Sequence, residues 1–189
     1  MKVEDSGMPE EVYWNSLFDI EGIVDWLAVS DNNATIVEIG CGYGTFTVPI
    51  AKKYTGKIYA FDIEAAMINV AQQNVRNAGL SNVIFSRRDV LEEGTGLESE
   101  SVDMVLLFNI LHFSARRVFL EEASRILKVG GSVAIIHWRK DIATPRGPAV
   151  DVRPDQGQIL ADAEGLHLNF DGNSKVLQPY HWGIQLVKE

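Results

Sequence analysis

The run Ile36-Val37-Glu38-Ile39-Gly40-Cys41-Gly42-Tyr43-Gly44-Thr45-Phe46 constrains this chain more than any other stretch. A mostly apolar segment leads directly into three glycines at alternate positions, and a helical pattern follows. Missing Cβ atoms permit a tight turn and let a ligand lie against the backbone, with amide groups at the helix start facing it. A strand, glycine turn and helix in that order belong at the carboxyl edge of an open α/β sheet, where such sheets bind their ligands. A bare packing turn between strand and helix is the competing reading, and the acid at Glu38 argues against it.

The remainder of the chain agrees with a parallel sheet. Short β-rich runs alternate with longer helical patterns, the signature of βαβ units. Strands are predicted at Thr35–Ile39, Lys57–Asp62, Val83–Arg88, Val102–Phe108 and Ser132–Trp138, and helices at Thr45–Tyr54, Glu64–Asn77 and Ser114–Leu127. The first, fourth and fifth strands are nearly continuous apolar runs, as in strands covered on both faces. In the second helix Met67, Val70, Ala71, Val75 and Ala78 fall on one face. That helix should stop at Gly79, and the third at Gly130-Gly131, each with a left-handed cap. Pro9–Val29 reads as one or two amphipathic helices, Lys140–Pro154 as a proline-rich loop and Pro154–Glu164 as a short helix. Leu168–Phe170 and His181–Val187 read as strands on either side of the turn signal Asp171-Gly172-Asn173, an antiparallel hairpin.

The expected fold is α/β: a doubly wound, mostly parallel, seven-stranded Rossmann-like sheet with a C-terminal antiparallel hairpin and N-terminal helices. The 189 residues suit one domain of about 100–200 residues. Within it, residues 1–30 form a helical cap, 31–139 a ligand-binding core, and 140–189 a loop, helix and terminal hairpin.

Charge and composition bound the partners. Seventeen Lys and Arg against twenty-six Asp and Glu leave a net charge of −9, which opposes binding to a phosphate backbone. The short basic clusters are Arg87–Arg88 and Arg116–Arg117, so no nucleic acid is expected and a small-molecule partner is. No apolar run nears the roughly 18 residues of a membrane span, and Met1–Glu10 is acidic where a leader would be basic. One cysteine supports neither a disulfide framework nor a multi-cysteine zinc site. No membrane and no metal are expected, and the cytoplasm is the expected compartment. A homodimer through the N-terminal helices or the last strand stays open.

Spacing discriminates among nucleotide-like ligands. The dinucleotide fingerprint G-x-G-x-x-G needs a glycine where Thr45 stands; the third glycine comes one residue early, at Gly44. Asp62 closes the second strand, where a carboxylate can accept from both hydroxyls of a ribose. Asp89 ends the third strand and can accept from an exocyclic amine. A lone aspartate at a strand end is commonly a helix cap, but Glu38, Asp62 and Asp89 along one sheet edge point to a ligand.

At these residues the chain resembles class I S-adenosylmethionine (SAM)-dependent methyltransferases, over Ile36 to Gly131. Glu38-Ile39-Gly40-Cys41-Gly42-Tyr43-Gly44 is similar to the family's first motif. Ala60-Phe61-Asp62-Ile63-Glu64 with Met67 is similar to its second, and Ser86-Arg87-Arg88-Asp89-Val90 to its third. Phe108-Asn109-Ile110-Leu111-His112 and Leu127-Lys128-Val129-Gly130-Gly131 resemble the segments around strands four and five. The resemblance implies SAM as cofactor, S-adenosylhomocysteine as product, and transfer of a methyl group to an unidentified small-molecule acceptor by in-line displacement. It implies that Gly40, Gly42 and Gly44 pack against the methionine part and ribose, and that Asp62 holds the ribose hydroxyls. Ile63 and Met67 would flank the adenine, Asp89 and Val90 would meet its amine edge, and Asn109 would approach the amino-acid end. Glu38 and Cys41 complete the implied cofactor set. Two alternatives stay open: a non-catalytic SAM-binding regulatory subunit, and an NAD-dependent oxidoreductase, which Thr45 and the lack of a second substrate domain oppose.

A sulfonium is an excellent leaving group, so alignment and desolvation of the nucleophile dominate the chemistry. A base is needed only where the attacking atom carries a proton. His112, after the fourth strand, and His137, at the end of the fifth, are the catalytic candidates, with Arg139, Tyr180 and His181 behind them. Trp14 is a packing residue or a lid. Arg146, in the stiff stretch Thr144-Pro145-Arg146-Gly147-Pro148, is a surface charge or an anion clamp.

Overall fold

Alternation along the central strands divides the apolar residues between two faces of one sheet. A computed structural model describes residues 7–189; residues 1–6 of the expected N-terminal cap lie outside the described residues. The strands are β1 (Ile36–Ile39), β2 (Ile58–Asp62), β3 (Val83–Arg87), β4 (Val102–Phe108), β5 (Leu127–Trp138), β6 (Leu168–Leu177) and β7 (His181–Lys188). They form one seven-stranded sheet in the order β3-β2-β1-β4-β5-β7-β6. The pairs from β3 through β5 are parallel, and β7 lies antiparallel between β5 and β6. Ile39 at the end of β1 is level with Phe61 of β2 and Leu107 of β4. The chain order reverses between β1 and β4, so the crevice at their carboxyl ends is the topological switch point.

The helices are α1 (Glu11–Asn15), α2 (Ile20–Trp26), α3 (Thr47–Lys53), α4 (Ala65–Asn77), α5 (Val90–Glu93), α6 (Arg116–Ile126) and α7 (Gln156–Ala163). Val37, Val105, Leu107, Val133 and Ile135 face α6 and α7 through Phe119, Leu120, Ala123 and Ile159. Ile36, Ile58, Met104, Leu106 and Ile136 face α2 and α3 through Ile23, Trp26, Leu27 and Ile50. Each such buried aliphatic side chain stabilises the fold by about 1.5–3 kcal/mol. Among the described residues no helix is long and apolar enough to cross a membrane.

Four local readings change. The glycine pair after α6 is no helix stop: the helix ends at Ile126, and Leu127 is already extended and paired with Val102. β5 then bulges across Lys128–Gly131 and resumes with Ser132 opposite Met104. Burying Leu127 completely in the sheet outweighs one more helical turn. The Asp171-Gly172-Asn173 signal is likewise a bulge inside β6, with Phe170 opposite Leu186 and Ser174 opposite Ile184. Asn173 turns inward to accept the Trp26 indole N–H at 2.9 Å, and the hairpin connection falls at Gln178–Tyr180 instead. The buried face of α4 is Ile68, Ala71 and Val75, with Met67 turned aside; Gly79 takes the expected left-handed cap at φ +70°. Finally, α5 is a short helix that the sequence did not suggest, and α7 begins at Gln156 because Asp155 and Gln158 form a reciprocal capping box there.

Candidate active site

The glycine turn is held mainly by its own backbone. Gly40 N–H and Cys41 N–H donate to the Phe61 carbonyl at 2.8 and 2.9 Å, tying the end of β1 to β2. Gly42 N–H donates to Asp62 Oδ2 at 2.8 Å, and Gly44 N–H to the Cys41 carbonyl at 2.9 Å. The amides expected to face a ligand are therefore committed inside the protein. A dinucleotide pyrophosphate is bound by free amides at such a turn, and these four are not free. All three glycines have positive φ, at +80°, +53° and +79°. Gly44 owes its identity to packing: a Cβ there would lie 3.3 Å from Ala71 Cβ of α4.

A cavity of about 730 Å³ opens beside this turn. Of the cofactor set predicted from sequence, Glu38, Gly40, Cys41, Gly42, Asp62, Ile63, Met67, Asp89, Val90 and Asn109 all line it, and Gly44 does not. Asp62 is nearly buried; besides Gly42 it accepts from Glu64 N–H at 2.9 Å. Burial raises its pKa, and those two N–H bonds oppose the rise. Each carboxylate oxygen keeps a second lone-pair site for a ligand hydroxyl. Asp89 caps α5, accepting from Leu91 N–H at 3.1 Å. Glu38 is 1% exposed and accepts from the Thr47 hydroxyl at 2.5 Å. Burial pushes its carboxyl up to about 8, with the Asp62 charge adding to the rise. Burial also raises the Cys41 thiol, which stays protonated against the floor of the turn. Asn109 sits at φ +59°, and among the described residues neither its side-chain nitrogen nor its oxygen has a partner although both are buried.

Much of the remaining lining is aromatic. Trp14, Phe46, Phe108 and Trp138 belong to it, with edge-on contacts between Trp14 and Trp138 at 6.2 Å and between Phe46 and Phe108 at 4.9 Å. His112 lines the wall, and burial lowers its pKa, so the imidazole is neutral at neutral pH. His137 is a correction: β5 presents Trp138 to the cavity and turns His137 beneath the sheet beside Trp182. It is fully buried, lowered to about 3 by burial, and its ring lies 6.0 Å from that of His112. Tyr180, His181 and Arg139 do not line the cavity either. His181 stacks on Phe18 at 4.5 Å, and Arg139 pairs with Asp141 at 2.6 Å. Met8 and Pro9 roof the cavity without any sequence signal for that place, joined by Gly147 and Pro148 of the stiff stretch around Arg146. The Tyr43 hydroxyl fastens the roof by donating to the Pro9 carbonyl at 2.6 Å.

A family model described as a methyltransferase domain matches residues 30–164. The chain belongs to the class I SAM-dependent methyltransferase family. The chain resembles a solved SAM-dependent methyltransferase from Aquifex aeolicus with a TM-score of 0.81 and 24% identity, covering 99% of this chain and 95% of that one. An uncharacterised methyltransferase-like protein of Schizosaccharomyces pombe is 30% identical over 131 residues, 66% of this chain and 47% of that protein. The tRNA (adenine(58)-N(1))-methyltransferase catalytic subunit of Yarrowia lipolytica is 32% identical over 77 residues, 40% of this chain and 20% of its own length. The chain thus spans less than half the length of these two curated relatives.

SAM is the cofactor of this family, and the cavity suits it. Asn109 offers an unpartnered amide donor and acceptor together, the pair that an amino-acid carboxylate and ammonium require. Asp62 presents lone pairs where hydroxyls can donate, and the acids along this edge favour a cationic ligand over a phosphate-bearing one.

Proposed function

We propose that this methyltransferase transfers the methyl group of SAM to a small molecule held against the aromatic lining of the cavity. The observation that carries the reading is the continuity of one cavity from the glycine turn to Trp14 and Trp138. Its volume of about 730 Å³ lies in the range of about 300–1,000 Å³ usual for small-ligand pockets. Bound SAM supplies a methyl group on a sulfonium, whose departure needs no acid. Asp62 accepts from the ribose hydroxyls, Ile63 and Met67 flank the adenine, and Asp89 and Val90 meet its amine edge. Asn109 binds the amino-acid end, and Gly40 and Gly42 let it lie close to the backbone. Gly44 contributes by shaping the turn; Glu38 fixes the start of α3 through Thr47, and Cys41 seals the floor.

His112 is the base for an acceptor whose O–H or N–H must lose its proton, since a neutral imidazole can take it. The aromatic walls exclude water and align the acceptor, the main requirement of in-line displacement. The net charge of −9 and the carboxylates of the lining support a small acceptor over a tRNA.

The test is S-adenosylhomocysteine formation by the purified protein with a small-metabolite extract and, separately, with total tRNA. Product with the extract alone is expected. Product with tRNA alone would overturn the small acceptor, and SAM binding without product from either would make the chain a binding subunit. His112→Ala should keep S-adenosylhomocysteine affinity and lower turnover about 10²–10⁴-fold; equal turnover would remove His112 from the chemistry.

A further inference from the structure

One arginine of the cavity lining, Arg146, is joined in the chain to Gly147, which packs on Trp138, and neither the cofactor nor the transfer chemistry uses it. We propose that the aromatic part of the cavity takes a planar, apolar acceptor bearing a carboxylate, and that Arg146 holds that carboxylate. The inference rests on the acceptor-site reading above and names its substrate class.

Charge on the lining is divided. Asp62, Glu64, Asp89 and Glu92 all come from the β1–β3 side of the cavity, where the buried Glu38 is protonated and adds no charge. Arg146 comes from the strap that also supplies Gly147 and Pro148 to the lining, and Gly147, its neighbour in the chain, packs on the Trp138 indole. Arg88, the other arginine of the lining, gives its guanidinium to the Gly94 and Glu93 carbonyls at 2.6 and 3.1 Å. The Arg146 guanidinium donates to the Gly7 carbonyl at 2.6 Å, and among the described residues no carboxylate pairs with it. Its neighbours are paired: Arg139 with Asp141 and Lys140 with Asp155. A guanidinium carries five N–H donors in a planar fork, so one carbonyl leaves it capacity for a bidentate carboxylate.

The strap fixes where that fork sits. Arg153, 6% exposed, donates to the carbonyls of Arg139, Pro148 and Arg146 at 2.6, 2.9 and 3.3 Å. The Thr144 hydroxyl donates to the Arg146 carbonyl at 2.8 Å. Gly147, at φ +108°, lies so close to Trp138 that a Cβ would meet the indole at 2.9 Å. Backbone pinned on both sides of Arg146 reduces the ordering cost of binding, while the neighbouring indoles select a flat, apolar body.

The cofactor also carries a carboxylate, so the experiment separates the two sources. Calorimetry on the full chain measures S-adenosylhomocysteine affinity first. The loaded protein is then titrated with 2-naphthoate and 2-naphthamide, and with 4-hydroxycinnamate and its amide. In at least one pair the acid should bind about tenfold tighter than the amide, and Arg146→Gln should erase that preference. Arg146→Lys should keep part of it, and both variants should melt as the wild type does, because the side chain is exposed. An acid preference absent from both pairs, or one that survives Arg146→Gln, overturns the proposal. So does a loss of about tenfold in S-adenosylhomocysteine affinity in Arg146→Gln, which would assign the guanidinium to the cofactor. Failure of the wild type to bind S-adenosylhomocysteine is a different result, and would sink the methyltransferase reading itself.

Discussion

Asp62 has two tasks, and they shape how it can be tested. It shapes the turn through Gly42 N–H and Glu64 N–H, and it offers lone pairs to the ligand. Removing the whole carboxylate would lose both turn bonds, whereas Asp62→Asn keeps one acceptor and sets an NH2 group against the other backbone N–H, so its melting temperature is measured beside its affinity. It should weaken S-adenosylhomocysteine binding by about 10–100-fold in calorimetry, the worth of a hydrogen bond to a charged acceptor; unchanged affinity would mean that the ribose lies elsewhere. Glu38 gives a second prediction. Its carboxyl titrates near 8 in the fold, above its ordinary 4.5, because it is buried. The protonated form is the one the fold favours, so this stabilising contribution is complete below about pH 4.5 and fades as pH rises through 8. Glu38→Gln cannot ionise, and the wild type should lose on the order of 4 kcal/mol relative to it between about pH 5 and pH 9. Parallel melting curves of the two proteins across that range would remove Glu38 from the pH response. Asp62 was legible in the sequence because it ends a run that reads as a strand, and Glu38 because it stands two residues before the glycine turn. His137 was misplaced because the sequence gives the strand but not which of His137 and Trp138 turns toward the cavity.

Elements differ from residues in that their ends are decided by distant partners. All five parallel strands and the major helices follow from apolar runs and periodicity, and the structure keeps them. Glycine pairs and turn triplets are ambiguous, since positive φ serves a helix cap, a bulge or a turn equally well. At Gly130-Gly131 the choice falls to Val102, which pairs with Leu127; at Asp171–Asn173 it falls to the Trp26 indole. Neither partner is visible locally. Gly44 tests the same idea within the site. Its positive φ and its contact with Ala71 make Gly44→Ala cost about 1–3 kcal/mol. The melting temperature should fall while S-adenosylhomocysteine affinity of the folded protein changes little, because Gly44 is outside the lining. A large affinity loss at unchanged stability would instead place Gly44 against the ligand.

For the whole molecule, cofactor choice becomes a stability statement. The crevice between β1 and β4 was legible, since the strand–glycine–helix unit requires an open parallel sheet. The roof was not: Arg146 reaches the Gly7 carbonyl across 139 residues of sequence, and no local pattern encodes that meeting. A ligand that binds only the folded state at about 100 times its Kd stabilises it by about 2.7 kcal/mol. For a chain of this size that raises the melting temperature by roughly 5–10 °C, at about 2–4 °C per kcal/mol. SAM and S-adenosylhomocysteine should each produce such a rise in thermal-shift titrations. NAD should produce none, because the amides of Gly40, Cys41, Gly42 and Gly44 are bonded to Phe61, Asp62 and Cys41 and would have to break those bonds to hold a pyrophosphate. Opening them would forfeit about 0.5–1.5 kcal/mol for each bond, cancelling much of what the phosphates contribute. An equal rise with NAD would mean that the turn opens at little cost, and the assignment of Asp62 as its latch would fall with the cofactor.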